Sequence, residues 1–378
     1  MSEKAYNVLE ILHRYIKGDL IKIFPLKMFI IYSLSLFPAA GQNDTTSIKE
    51  KKSKSPEKNI SLFSKDDLLE VTIYLDLASF SKKPNKMNSF DASMTIHFSD
   101  KDSINKKIII KYRGISRYEI CSFPPIQINL RNALIADSGK IKRLKLVTHC
   151  EPGGMTDEYV IREYLVYKLF NAITDTSFRV RLLKVNYVDT ESNKKPIRKY
   201  GFFIEPISTL AERTNSTVVK STNIGQKNIF PDVMDRLAIF NYMVSNWDWS
   251  VPGQHNVAVI KPLNNDNSML GIAIPYDFDL TGIVNAEYAI PPPDLGIENI
   301  RERLFSGICR SKEEWKEELI RFLNCRQKLY SVVNEFPYLN QRSKKDITVF
   351  LDQFFNQLEK QRNMDNLIDV FTKSCKKL

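Results

Sequence analysis

Residues 156–185, TDEYVIREYLVYKLFNAITDTSFRVRLLKV, carry the change of period that decides the fold class. Apolar residues recur at Val160, Ile161, Leu165, Val166, Leu169, Phe170 and Ile173, the spacing of a helix with one buried face. Thr156 stands where an N-cap belongs, and Asp157 and Glu158 put acid in the first turn. FRVRLLKVNYVD and YGFFIEPI then read as two strands joined by the polar turn ESNKKPIRK. Upstream, LLEVTIYLDL, SMTIHF, KKIIIKYRG, PPIQINL and RLKLVTH read as short strands of a half-buried antiparallel sheet. Downstream, PDVMDRLAIFNYMVSN predicts an amphipathic helix with Pro231 at its start. NVAVIKP and MLGIAIPYD predict a hairpin across NNDNS. From about residue 297 the chain reads as mainly helical, in KEEWKEELIRFLNCRQKLYSVVNEF and KKDITVFLDQFFNQLEKQRNMDNLIDVFTK. The expected class is α+β: a β-rich part with one helix over 62–207, then a mainly helical part over 208–378.

The composition excludes several classes. With 378 residues, 43% hydrophobic and 26% charged, the chain is neither collagen-like, wholly disordered nor a polytopic membrane protein. Five Cys are too few for a disulfide-built miniprotein. Cys121 and Cys150 fall in one half and Cys309 and Cys325 in the other, with Cys375 left over; spacing assigns no connectivity. The net charge of +11 attracts nucleic acid, anionic lipid or a nucleotide without choosing among them. Its Lys are densest in QNDTTSIKEKKSKSPEKNIS, residues 42–61, which reads as a flexible tether, so no specific nucleic-acid binding is expected. Residues 1–41 read as a leader. The apolar run from Met28 to Phe37, about ten residues, is too short to span a bilayer and suits a secretory signal. Ala39 and Gly41 allow cleavage before Gln42, and either Met1 or Met28 serves as the start. The expected location is secreted, periplasmic or cell-surface, with no transmembrane span in the mature chain.

The order of elements between 232 and 280 suggests chemistry. A helix ends at Asn246-Trp247-Asp248, a loop leads to Gln254-His255-Asn256, and a hairpin returns the chain to Asp277-Phe278-Asp279. Asp248, Asn256, Asp277 and Asp279 are thereby expected around one spot. One amide and three carboxylates suit a hard divalent cation such as Mg²⁺, with one carboxylate spare to orient or deprotonate a hydroxyl. Phosphoryl-transfer enzymes of the protein-kinase type use the same order, although here Asp and Asn are eight residues apart and NWD replaces HRD. A nucleotide also needs a cation near its phosphates. Lys145, with Glu163 at the edge of the apolar stripe as its partner, is the candidate, Lys142 and Glu158 being alternatives. Gly-rich phosphate loops are absent. In the turn Arg113-Gly114-Ile115-Ser116-Arg117, a Gly between two Arg, Arg113 foremost, can present guanidinium groups to phosphate. Glu205, in YGFFIEPI, marks a connector whose backbone can meet an adenine edge.

These segments resemble the spore-coat protein H (CotH) kinase-like family, especially a secreted branch of Bacteroidetes type. The likeness rests on YRGISR, CSFPPIQINL, LKLVTHC, REYLVYKLFNAITDTSFRVRLLKV, GFFIEPI, NWDWSVPGQHN and IPYDFDLTGIVNAEYA, from about residue 107 to 310. It implies an atypical protein-kinase-like fold with two lobes, a β-rich N-lobe and a mainly helical C-lobe. It also implies transfer of phosphate from ATP, with Mg²⁺ or Mn²⁺, to hydroxyls of extracytoplasmic proteins. Asp248 matches the family's catalytic Asp, Asn256 its metal-side Asn, and Asp277 and Asp279 its acidic pair, with Tyr276 where the family has Trp. Lys145 and Glu163 match its nucleotide-side pair. The alternatives are an inactive surface-binding protein on the same scaffold and a transferase of AMP.

Overall fold

The computed structural model describes residues 59–377 apart from 115, 138, 151–154, 222 and 265–269. The expected leader and nearly all of the expected tether lie outside these. The tether's end is not loose: Ile60 is buried, and its N–H donates to the Ile135 carbonyl at 3.0 Å.

All five upstream runs form strands: β1 (Leu69–Leu75), β2 (Ser89–Ser99), β3 (Asp102–Tyr112), β4 (Ile126–Ala136) and β5 (Gly139–Val147). Two short helices, α1 (Leu77–Ser81) and α2 (Ser116–Ile120), interrupt them. The decisive stretch gives α3 (Met155–Ile173), β6 (Val180–Asp189) and β7 (Ile197–Ile204).

The two-lobed kinase-like fold with a half-buried N-lobe sheet is not what these strands build. They close into a barrel in the order β1-β2-β3-β4-β5-β7-β6. The closing pair is β1 with β6, parallel from Leu69↔Leu183 to Leu75↔Asp189. Closure removes both edges of the sheet, so inward side chains meet each other instead of a partner layer. Val71, Ile73, Met94, Ile96, Ile108, Ile110, Ile128, Leu146, Val185 and Phe203 fill the interior, essentially without solvent contact. Each such side chain contributes about 1.5–3 kcal/mol.

The separation into two lobes fails for a second reason. α3 is buried nearly all round, not along one face. Its residues, the outer faces of β6 and β7 (Val180, Leu182, Phe202, Ile204) and the C-terminal helices share one apolar cluster reaching Phe371. Burial on both faces explains the consecutive buried residues 180–183 of β6 and 201–204 of β7. Arg162 of α3 is buried and meets the half-buried Glu158 and Asp346, each at 2.7 Å. Arg181, within β6, reaches Asp67 at 3.0 Å.

Beyond β7 come α4 (Ile207–Arg213), β8 (Ser216–Val218), α5 (Pro231–Val244), β9 (Val257–Pro262) and β10 (Ile272–Pro275), the strands forming a small sheet in the order β10-β9-β8. Pro231 occupies the first turn of α5, as its fixed φ and missing N–H allow. The chain ends in α6 (Lys312–Asn334), α7 (Gln341–Phe355) and α8 (Gln361–Ser374). Disulfides join Cys121 to Cys150 and Cys309 to Cys375, leaving Cys325 as the free thiol. The C-terminal Cys pairing thus takes Cys375 in place of Cys325. Among the described residues no helix is long and apolar enough to cross a membrane.

Barrel closure has a direct readout. Because β1 is paired on both sides, the consecutive amides of Val71, Thr72, Ile73 and Tyr74 are all expected to be protected from hydrogen exchange. Fast exchange at alternate residues would show β1 to be an open edge.

Candidate functional site

The site is built from the end of α5 outward. Ser245 turns left-handed at φ 54° and ends the helix. A buried amide ladder fixes the next residues: Asn241 Nδ2 donates to the Leu237 carbonyl at 2.9 Å, and Asn246 Nδ2 donates to Asn241 Oδ1 at 2.8 Å. Asn246 Oδ1 then accepts the Asp248 N–H at 3.0 Å. The loop to Asn256 is a closed turn, with Ser250 and His255 exchanging backbone hydrogen bonds of 2.9 and 3.0 Å. That turn absorbs the extra residues between Asp248 and Asn256 and brings the two together. Asn256 Nδ2 donates to the Asp248 carbonyl and to Asp248 Oδ2, each at 2.9 Å. His255 Nε2 donates to Asp248 Oδ1 at 2.7 Å.

Between Asp277 and Asp279, Phe278 anchors the segment. Phe278 is fully buried, its ring 4.7 Å from that of Tyr167 on α3 and 5.8 Å from that of Phe240 on α5. Asp277 adopts φ 64° and its N–H donates to the Tyr167 hydroxyl at 2.8 Å. Asn256, at φ 52°, and Gln254, at φ 45°, are also left-handed. Asn and Asp tolerate this conformation better than most residues, and such positions gather where geometry serves function. The pairing of Val257 with Pro275 across β9 and β10 brings the two ends of the segment side by side.

Asp279 lies within electrostatic reach of Asp277 and Asp248, and Asn256 is hydrogen-bonded to Asp248. The neighbouring carboxylates of Asp277 and Asp248 act on Asp279, whose pKa is pushed up to about 6, mainly by burial. Tyr288 hydrogen-bonds Asp279. His255 is raised, chiefly by its hydrogen bond to Asp248.

The pairing expected for Glu163 differs. Glu163 is buried and faces Arg117, with Nη1 to Oε2 at 3.6 Å. Arg117 also approaches Asp279, with Nε to Oδ2 at 4.0 Å, and donates to the Thr148 carbonyl at 2.9 Å. Burial first, and Asp279 next, hold the Glu163 carboxyl well above the usual range. Lys145 is turned away from Glu163 toward Tyr276, its Nζ 4.7 Å from the ring centroid. Two outward residues on β5, Arg143 and Lys145, pair with Asn129 and Gln127 of β4, which aims Lys145 away from the barrel interior. The residue is exposed to an open cavity, yet its ammonium is packed against the wall, and this burial with Arg113 nearby pulls its pKa down to about 8.

The cavity measures about 660 Å³. Lys140, Lys142, Arg143 and Lys145 of β5 line it, opposite apolar walls from Phe178, Ile204, Val218 and Val257. Tyr276 and Gln254 connect it to the carboxylate site. Glu205 lines it too, but its carboxylate is clamped by Arg213 at 2.8 and 3.0 Å and its N–H donates to the Arg179 carbonyl at 2.9 Å. Its side chain and N–H are therefore committed to the fold, not offered to a ligand.

Arg113 Nη1, Arg117 Nε and Glu163 Oε1 are buried without a hydrogen-bond partner. Three such atoms in one region fit a site that receives polar ligand groups. Among the described residues, no three His, Cys, Asp or Glu side chains form a ready-made metal-ligand group. The oxygens of Asn256, Asp277 and Asp279 nevertheless have the hard character that Mg²⁺ or Mn²⁺ takes. His255, Asn246 and Tyr288 are not among the expected site residues; Arg117, the second arginine of the basic turn, faces carboxylates where phosphate was expected. No protein-family model matches the chain, and no curated protein is detectably similar to it in sequence.

Burial of Asp279 has a pH signature. Its folded pKa lies above the unfolded value of 3.8, so the folded state holds the proton longer. The associated stability is present below about pH 4 and lost as pH rises through about 6. Asp279→Asn is expected to flatten this fall in denaturant unfolding curves taken across that window. An unchanged slope would contradict the assignment.

Proposed function

We propose that the chain is a phosphotransferase that uses ATP and a divalent cation to modify hydroxyls of proteins outside the cytoplasm. The likeness to the spore-coat protein H kinase-like family is retained for this chemistry and not for the fold. The observation that carries the reading is the junction of two features: a cavity of about 660 Å³ with apolar walls and a row of cations, and a carboxylate cluster at its Tyr276 end.

The apolar walls and Tyr276 suit a base, while Lys145 and Arg113 suit phosphates. Arg117 neutralises Glu163 and leaves Lys145 to the ligand. Asp248 has the oxygens to orient an acceptor hydroxyl and take its proton, with His255 and Asn256 fixing its rotamer. Asn256, Asp277 and Asp279 are the residues that would hold Mg²⁺ or Mn²⁺, which supplies charge neutralisation for the transferring phosphoryl group. Export to an oxidising compartment is supported by the two disulfides and by the signal-like segment before Gln42.

A second reading, nucleotide binding without transfer, draws on one observation: both carboxylate oxygens of Asp248 already hold intramolecular hydrogen bonds. Incubation of the protein with γ-labelled ATP and Mg²⁺ or Mn²⁺, followed by mass spectrometry, separates the cases. Added phosphate is expected. Added AMP would reassign the reaction to nucleotidyl transfer, and binding without a product would favour the second reading. Asp248→Ala is expected to keep nucleotide affinity and lower turnover by about 10²–10⁴-fold. Full activity in that variant would remove Asp248 from its role.

A further inference from the structure

We propose that Arg117 is a positioning residue latched by the Cys121–Cys150 disulfide, so that its place beside Glu163 and Asp279 is held only in the oxidised protein. This inference rests on the reading above for its ligand, but its structural part does not.

Arg117 is the cation that both Glu163 and Asp279 face, and all three are buried. Its carrier is weak. α2 spans five residues, Ser116–Ile120, and helices shorter than roughly 12–15 residues are marginal on their own. Arg117 is therefore held from outside the helix. Cys121 follows α2 directly, and its N–H donates to the Arg117 carbonyl at 3.1 Å. The disulfide ties Cys121 to Cys150, two residues beyond Thr148, whose carbonyl accepts from Arg117 at 2.9 Å. Phe123 N–H and Ser122 Oγ donate to the Cys150 carbonyl at 2.9 and 3.2 Å. On the other side Lys83 Nζ donates to the carbonyls of Tyr118 and Cys121 at 2.7 and 3.0 Å. The disulfide is the covalent member of this set, and it closes the loop that runs through β4 and β5. Cys309–Cys375 lies at the other end of the chain and touches none of these groups.

A dithiol reductant breaks the S–S bond. Two electrons and two protons pass to the sulfurs of Cys121 and Cys150, and the dithiol closes to its own disulfide. α2 then keeps only hydrogen bonds, Arg117 is no longer confined beside Glu163 and Asp279, and the phosphate side of the cavity loses its arrangement.

The test measures the dissociation constant of Mn²⁺–ATP for the wild type, C121S/C150S, C309S/C375S, R117Q and the triple variant R117Q/C121S/C150S. A rise of about tenfold or more is expected for C121S/C150S and for R117Q, with little change for C309S/C375S. Because the disulfide acts through Arg117, the triple variant is expected to be no worse than R117Q alone, whereas independent effects would multiply. Hydrogen exchange without ligand is read in parallel and should quicken at Tyr118–Cys121 in C121S/C150S by tenfold or more. Unchanged affinity in C121S/C150S, or multiplying effects, would overturn the latch and leave the proposed function standing. If the wild type binds no nucleotide, the proposed function falls, and the exchange comparison alone decides the latch. Should C121S/C150S not fold, dithiothreitol treatment of folded C309S/C375S replaces it, since that protein carries only the one disulfide.

Discussion

Glu163 and Asp279 are buried carboxylates, and the surrounding structure depends on their having a cation. Moving an ion out of water costs several kcal/mol even after relaxation, and removing one partner of a buried pair typically costs about 3–5 kcal/mol. Arg117 meets this need for both groups at once. A lysine would do so less well. The guanidinium spreads its donors over a plane, so Nη1 can face Glu163 while Nε faces Asp279 and Nη2 holds the Thr148 carbonyl. With Arg117 in that place, Lys145 is not drawn to Glu163 and lies instead over Tyr276, where the cavity meets the carboxylates. The division of work between one arginine and one lysine thus sets which cation meets the buried carboxylates and which lines the cavity.

Much of the fold was legible because strands and helices differ in period. The five runs before residue 148 became β1 to β5, and the helix at 156–173 became α3. Closure was not legible. Alternation tells which side chains point inward but not whether the last strand meets the first, and here the closing pair is parallel and follows a helix. A clue did exist in RVRLLKV and GFFI, runs with apolar residues on both faces. They announce strands covered on both sides, which fits β6 and β7 lying between the barrel interior and α3. The segments that escaped notice, α1, α2, α4 and β8, are too short to display a period.

The site was legible to the extent that local chain order imposes it. Asp248, Asn256, Asp277 and Asp279 come together because a helix end, a closed turn and a hairpin leave them little choice. Phe278 could be read as apolar but not as the plug packed between α3 and α5. The partner of Glu163 was out of reach. Arg117 and Lys145 both precede it, and nothing in their spacing says which one the fold delivers to α3. That choice depends on the barrel register and on a disulfide, both set by contacts between distant segments.

The charge balance of the site bears on its chemistry. Arg113, Arg117 and Lys145 stand against Glu163, Asp248, Asp277 and Asp279, a surplus of negative charge that adds to the upward shifts burial mainly causes at Glu163 and Asp279. A polyphosphate alone would deepen that surplus, and repulsion in a partly desolvated place is poorly screened. Lys140, Lys142 and Arg143 lie farther along β5 and favour an anion in the cavity rather than beside the carboxylates. On the proposed reading, nucleotide phosphates can approach Asp277 and Asp279 only together with a divalent cation. Cation and nucleotide should then bind cooperatively, each weak without the other, as two ligands that relieve one another's electrostatic cost must be.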